Sequence, residues 1–321
     1  MAQRKSKRKI STKDKSYSLK DSPFYRLKSK KKLYELLGLT SDLAKSLSVD
    51  ASNYSTFEIE GKSGKSRVIE CPNDSLDRVH TRIASLLCRI TPPDFMHSGR
   101  KGRTHITNAQ FHSGFKKVAT TDIKSFYTST TQKMIFSLFY STFDCSPDVS
   151  RILADLITYD GHVPTGSRVS MPIALWANIS MFNEFERLAI KHNVEMTVFV
   201  DDVSFSGDAI NKLFITTIKK IAIRHGHTIH PDKTKLYDKN EVKVITGVVI
   251  KGDDIKIKNE QHLKIYQDIE QWKALRESGF ASGTLNNRLL GRLSSMSQVE
   301  PRMKDKARSI RNVNSNLFEV S

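Results

Sequence analysis

Cysteine is scarce in this chain. Only Cys71, Cys88 and Cys145 are present. They form no CxxC pair and no metal-ligand spacing, which argues against a disulfide framework or a zinc site. Free thiols in a reducing, cytoplasmic setting are the expectation. Long apolar runs are also missing. No stretch approaches the roughly 18 apolar residues of a spanning helix, so no membrane partner is expected. The N-terminus is basic but lacks the apolar core and small-residue cleavage site of a signal peptide. Acid is in deficit: 34 Asp and Glu stand against 52 Lys and Arg, a formal charge of +18. Such an excess points to a polyanionic partner, most often nucleic acid.

What is there suffices for a core. The 321 residues are 38% hydrophobic, enough for one large domain or two modest ones. The first thirty-two residues carry thirteen Lys or Arg against two Asp. Apolar residues are rare there until Pro23-Phe24-Tyr25. Residues 1–32 therefore read as a basic arm, flexible until bound to nucleic acid. From Leu33 the texture turns globular. Helices are expected over Leu33–Leu47, Leu76–Ile90, Lys133–Tyr140, Val149–Tyr159, about Pro172–His192, and Ala209–His225. Phe57–Ile59 and Ser66–Glu70 flank Gly61-Lys62-Ser63-Gly64-Lys65 as a hairpin with a basic loop. Phe115–Ile123 reads as a strand, Val194–Val200 and Val203–Ser206 as a pair, and Val242–Ile250 with Asp254–Ile257 as another hairpin. Residues 91–113 look irregular, and the segment from Glu260 looks helical and basic. Helices mixed with antiparallel hairpins indicate an α+β fold.

Two segments carry chemistry. Thr197-Val-Phe-Val-Asp-Asp-Val-Ser-Phe205 runs alternating apolar residues up to Asp201-Asp202. Asp-Asp is a poor two-residue hairpin turn. Adjacent carboxylates repel and raise one pKa unless a cation neutralises them. An ordinary acidic turn is the plain alternative. A second strand-like run ends in Asp122. If the strands are neighbours, Asp122 faces Asp201 and Asp202. Three carboxylates so placed can hold two Mg²⁺ for in-line displacement at phosphorus.

In these residues and those around them the chain resembles reverse transcriptases, and specifically the retron enzymes of bacteria. Asp122 heads "DIKSFY", which resembles motif A, and "FVDD" at 199–202 resembles motif C. "VPTGSRVSMP" followed by Asn178 resembles motif B, "HTIHPDKT" at 227–234 motif D, and "VITGVVI" at 244–250 motif E. Asn108-Ala-Gln-Phe-His112 matches the retron Asn-Ala-x-x-His box. Ile245-Thr-Gly247 matches its Val-Thr-Gly box except for the Ile. The likeness spans roughly 57 to 305, in order.

The resemblance implies a right-hand polymerase. Residues 33–259 would form the fingers and palm, an antiparallel sheet plus helices, and 260–321 a helical basic thumb. Asp122, Asp201, Asp202 and Ile123 would be the metal set, for two Mg²⁺. Tyr127 would face the sugar of the incoming nucleotide. Thr165-Gly166 would turn under the template–nucleotide pair, and Lys233 would protonate the leaving pyrophosphate. Arg67 and Arg103 would bind the triphosphate. Asn108, His112, Thr246 and Gly247 would meet primer or RNA, with His112 more structural than catalytic. Trp176 and Trp272 read as packing residues.

The motifs depart from the family pattern in places. Motif C has Phe199-Val200 for the commoner Tyr-Ala. Motif B has Thr-Gly-Ser-Arg-Val-Ser-Met-Pro for Gln-Gly-x-Pro-x-Ser-Pro, with a longer spacing to Asn178. The implied activity is RNA-directed DNA synthesis. A structured noncoding RNA is copied into single-stranded DNA from dNTPs, primed by an RNA 2′-hydroxyl, beside an effector protein in phage defence. Two alternatives stand: a defence reverse transcriptase with protein-primed or untemplated synthesis, and a catalytically silent RNA-binding protein on a polymerase fold.

Overall fold

A computed structural model describes residues 8–49, 51–60, 64, 66–278 and 283–318. The helix expected over Leu33–Leu47 is two: α1 (Lys30–Leu37) and α2 (Ser41–Val49). Gly38 separates them at φ +69, a left-handed helix end that glycine adopts without strain. β1 (Tyr54–Glu60) and β2 (Ser66–Pro72) pair as the expected hairpin. Of its basic loop only Gly64 lies within the described residues. α3 (Asp74–Leu87) begins where Asn73 accepts the Leu76 N–H, and it buries Leu76, Val79, Ile83, Leu86 and Leu87. That is the face the spacing predicts. α4 (His105–Phe111) forms inside the stretch expected to be irregular. Seven residues are too few to show a period, and a Thr104–Thr107 capping box starts it.

β3 (Val118–Asp122), α5 (Phe126–Ser129) and α6 (Gln132–Ser137) follow, then a π-helical turn at Leu138–Thr142 and α7 (Pro147–Ile157). One long helix was expected over 172–192. Instead α8 (Ser170–Ala177) and α9 (Ile179–Lys191) meet at Asn178, at φ −107 and ψ 12. β4 (Glu195–Phe199), β5 (Asp202–Ser206), α10 (Lys212–Arg224) and β6 (Lys235–Tyr237) complete a four-stranded antiparallel sheet in the order β4-β5-β3-β6. The strand expected over 242–250 is itself a hairpin. β7 (Lys243–Ile245) and β8 (Val248–Lys251) pair across Thr246-Gly247, and β9 (Asp254–Ile257) adds a third strand. α11 (Asn259–Glu277), α12 (Gly283–Met296) and α13 (Arg302–Phe318) close the chain. The fold is α+β, as expected.

Three clusters of buried side chains hold it. The largest joins α3, α7, α8, α9 and α10 to the four-stranded sheet. A second lies within α11–α13, around Ile265, Leu289, Leu293 and Met303. A third joins Ile106 and Ala109 of α4 to Val118 and to Ile245, Val248 and Ile250.

The N-terminal segment departs from expectation. Residues 1–7 lie outside the described residues, but from Arg8 onward the chain is docked. Tyr17 bridges to Ile90 and gives its hydroxyl proton to the Leu86 carbonyl at 3.0 Å. Phe24 is fully buried, edge-on to Phe139 and Phe143. Arg8 pairs with Asp74 at 2.6 Å, and Arg26 and Lys28 pair with Asp144. One aromatic anchor and acidic partners on the body outweigh the segment's self-repulsion, which composition alone does not reveal.

Candidate active site and its surroundings

The sheet register builds the site. Asp122, the last residue of β3, lies directly opposite Asp202, the first of β5, and Phe199 of β4 pairs with Asp202 on its other side. Val200 and Asp201 form the two-residue turn between β4 and β5. Val200 has φ +62, the left-handed region that β-branched residues avoid. Such a conformation costs of order 1–3 kcal/mol and persists where surroundings fix it. Here the Val200 N–H donates to Ser98 Oγ at 3.0 Å, and the Asp201 carbonyl accepts the Ile123 N–H at 3.0 Å. The turn is clamped from both sides.

The three carboxylates differ. Asp122 is 6% exposed, and its Oδ2 accepts from Lys233 Nζ at 2.7 Å. Lys233 sits on a 3₁₀ turn, Pro231–Lys233, half exposed. The pKa of Asp202 is pushed up to about 7, by burial first and then by the charges of Asp201 and Asp122. Asp201 is also raised, by burial and then by Asp122, with Lys233 and Arg67 opposing. The resemblance implied a metal set of Asp122, Ile123, Asp201 and Asp202 for two Mg²⁺, with substrate phosphates completing the shells. Among the described residues no group of three His, Cys, Asp or Glu side chains is arranged to hold a metal. The Lys233 ammonium is the cation that Asp122 meets. What remains fits Mg²⁺ as an open site: two carboxylates raised by burial first and by neighbouring carboxylate charge second. Mg²⁺ needs one or two carboxylates and completes its shell with substrate phosphates and water.

Other expected residues fall around this centre. Tyr127, on α5, is half-buried and raised to about 12, by burial and then by Asp201's charge, so its ring belongs to the same neighbourhood. Arg67 is exposed on β2, and its charge reaches Asp201. Thr246-Gly247 lines a cleft of about 430 Å³ together with Phe199, Asp202 and Lys233. Thr246 has φ +44 and Gly247 φ +86, positive at both central residues as a type I′ hairpin turn requires. The Thr246 hydroxyl donates to the His105 carbonyl at 2.7 Å, which fastens the turn to α4.

Five expected residues are buried or bonded elsewhere. Arg103 donates to His97 Nε2 at 2.8 Å. Asn108 is 1% exposed and His112 fully buried, so neither side chain is placed to touch RNA. His112 ties α4 to the sheet through Ser206 Oγ at 2.8 Å and Thr197 Oγ1 at 2.7 Å. Burial drives its pKa down to about 3, so the ring stays neutral, with one nitrogen donating and the other accepting. Thr165-Gly166 packs on β2. The Gly166 N–H donates to the Glu70 carbonyl at 3.1 Å, and Thr165 exchanges bonds with Glu70 and Val68. A Cβ on Gly166 would stand 2.6 Å from the Glu70 carbonyl oxygen. The glycine is required by this close approach to β2.

Two supports escaped sequence reasoning. Ser98 clamps the Val200 turn, and nothing in its local pattern signals that. His227 joins Asn178 to α5: its Nε2 donates to Asn178 Oδ1 at 2.6 Å, and Ser129 Oγ lies 2.9 Å from its Nδ1. The histidines of "HTIH" beside Lys233 were the available signal.

An antiparallel sheet with aspartates at adjoining strand ends and a lysine among them is the arrangement the resemblance implied for a polymerase palm. No family model matches the chain. Curated relatives do. The Retron Se72 reverse transcriptase of Salmonella heidelberg (strain 579083-10) is 34% identical over 160 residues, 49% of this chain and 42% of that protein. The Retron Mx65 reverse transcriptase of Myxococcus xanthus is 26% identical over 221 residues, 62% of this chain and 51% of that one. The Retron Ec48 reverse transcriptase of Escherichia coli is 22% identical over 309 residues, 89% and 75%. The matches to the first two span about half the length of those proteins. A solved foamy viral protease-reverse transcriptase in complex with double-stranded DNA superposes with a TM-score of 0.47 at 13% identity, over 82% of this chain and 39% of that one. The curated relatives support a retron-type reverse transcriptase.

Proposed function

We propose that the chain is the RNA-directed DNA polymerase of a retron. The observation that carries this reading is the register that sets Asp122 against Asp202, with Asp201 in the clamped turn between β4 and β5. Asp201 and Asp202, with Asp122 and the Ile123 backbone beside them, would hold two Mg²⁺. Bound there, the metal supplies positive charge for the triphosphate and lowers the pKa of the attacking hydroxyl. Lys233 Nζ, already beside Asp122, gives a proton to the leaving pyrophosphate. Arg67 binds triphosphate oxygens, and Tyr127 disfavours a 2′-hydroxyl on the incoming sugar. The Thr246-Gly247 turn faces the primer end across the cleft. Residues 33–259 act as fingers and palm, and 260–321 as thumb.

The substrates are dNTPs and a structured noncoding RNA, copied into single-stranded DNA from an RNA 2′-hydroxyl. The setting is cytoplasmic, with an effector protein in phage defence. No helix among the described residues is long and apolar enough to cross a membrane. A second reading is a silent RNA-binding protein on the same fold, which predicts loss of at least one of these carboxylates, and Asp122, Asp201 and Asp202 are all present. Full-length protein and its Asp201→Ala/Asp202→Ala variant separate the two. The parent incorporates dNTPs on an RNA template, and the variant loses at least a hundredfold while RNA affinity holds. Continued synthesis by the variant would overturn the site, and no synthesis by the parent would favour the silent reading. Sequencing of copurified nucleic acid is expected to show a branched RNA–DNA species. Untemplated DNA on protein would instead support the protein-primed alternative.

A further inference from the structure

A cavity of about 410 Å³ lies between the docked N-terminal segment and α8, outside the chemistry above. Its volume falls in the roughly 300–1,000 Å³ of small-molecule sites. Apolar side chains line it: Leu87 and Ile90 at the end of α3, and Pro172, Leu175 and Trp176 of α8. Its remaining wall is cationic, with Lys15, Arg100 and Lys101 against one acid, Asp14. Residues 98–101 cover it. Gly99, at φ +63, rests on Met171, and an added Cβ would collide with that side chain's terminal methyl. Ser98 lines the cavity too, and it is Ser98 Oγ that accepts the Val200 N–H at 3.0 Å. One side chain therefore joins the cavity to the turn that carries Asp201.

We propose that this cavity holds one unpaired base of a single strand of nucleic acid, with the flanking phosphates on Lys15 and Lys101. Only the choice of polyanion rests on the function proposed above. A base offers a flat apolar face and a polar edge, and an apolar slot with an indole in its wall accepts any base of an unpaired strand. Thr12 stands in the lining for the edge, beside the Ser16 and Thr91 hydroxyls, which bond each other at 3.0 Å and keep acceptor capacity. The phosphates explain the cations. Arg100 is held by Asp94 at 3.2 Å, but Lys101 meets Asp14 only at 3.8 Å, with both side chains almost fully exposed. So exposed a pair is weak, and a phosphate displaces the acid readily. An occupied cavity presses on Ser98, and so on the backbone beside Asp201.

The chain has two tryptophans, so a full-length Trp272→Phe variant leaves Trp176 as the sole tryptophan, excited beyond the tyrosine band. It is titrated with an eight-nucleotide RNA of random sequence and with an abasic strand of equal length. The random RNA is expected to quench Trp176 emission and the abasic strand is not. Adding Lys15→Glu and Lys101→Glu, both at exposed positions, is expected to weaken the titration at least tenfold with the melting temperature unchanged. Equal quenching by both strands, no quenching by the RNA, or an unaltered titration in the charge-reversed variant overturns the proposal. DNA synthesis is measured on the same preparations. Synthesis without quenching sinks the cavity alone, and quenching without synthesis sinks the polymerase reading alone.

Discussion

Asp202 keeps its proton to a pH where an ordinary Asp, near 3.9, has long lost it. The sign of the linkage follows. With a folded pKa raised to about 7, the carboxyl contributes stability in full below the unfolded pKa, and loses it as pH rises toward the folded one. Asp202→Asn is therefore expected to unfold like the parent near pH 4 and to outlast it above pH 7. The gain is on the order of 2 kcal/mol, about half the full linkage because the group is partly open to solvent. Urea unfolding at the two pH values measures it, and added Mg²⁺ narrows the gap by stabilising the parent alone. A gap that does not vary with pH would show that burial and repulsion do not set this carboxyl. Val200 is the other residue under stress. Val200→Gly relieves the turn, with an expected gain of about 1 kcal/mol in stability and a several-fold loss of DNA synthesis as Asp201 loses a stiff neighbour. Synthesis unchanged beside the raised stability would separate that strain from function.

Between elements, backbone approach decides more than side chains do. The Thr165-Gly166 segment lies against β2 so closely that Gly166→Ala must move one of them, since the Glu70 carbonyl cannot swing aside. DNA synthesis is expected to fall more than tenfold, with a loss of about 1–3 kcal/mol in stability as the overpacked contact strains. Wild-type rates in that variant would mean the contact is slack. Sequence reasoning reached the glycine but not its neighbour, because β2 is almost a hundred residues away. The same limit applies elsewhere. Asp122, Asp201, Asp202 and Lys233 were legible because strand alternation and local spacing carry them. The break at Asn178 was not, and the buried bond there comes from His227, 49 residues away in the sequence. His112 was legible as structural only in part: its ring looks like an RNA contact until Ser206 and Thr197 close on it.

For the molecule as a whole, the charge excess overstates the surface left for a polyanion. Arg8, Arg26, Lys28 and Lys30 already pair with Asp74, Asp144 and Asp148. The segment they belong to is part of the body. Phe24→Ala is accordingly expected to cost about 3–5 kcal/mol, read as a lower urea midpoint for the entire main core, where a free arm would leave unfolding untouched. The C-terminal helices are organised differently. Their cluster has its own buried residues, with Arg288 and Arg292 gathered on buried Asp268; Ile257 packs on it from the three-stranded sheet, and Val299 packs on the cluster of Ile245, Val248 and Ile250. The proposed boundary between residues 259 and 260 leaves the buried residues of the main core on one side and those of the helical cluster on the other. Under the proposed function, the last three helices would then be replaceable as a unit, changing which nucleic acid is gripped while the carboxylates and their clamped turn stay as they are.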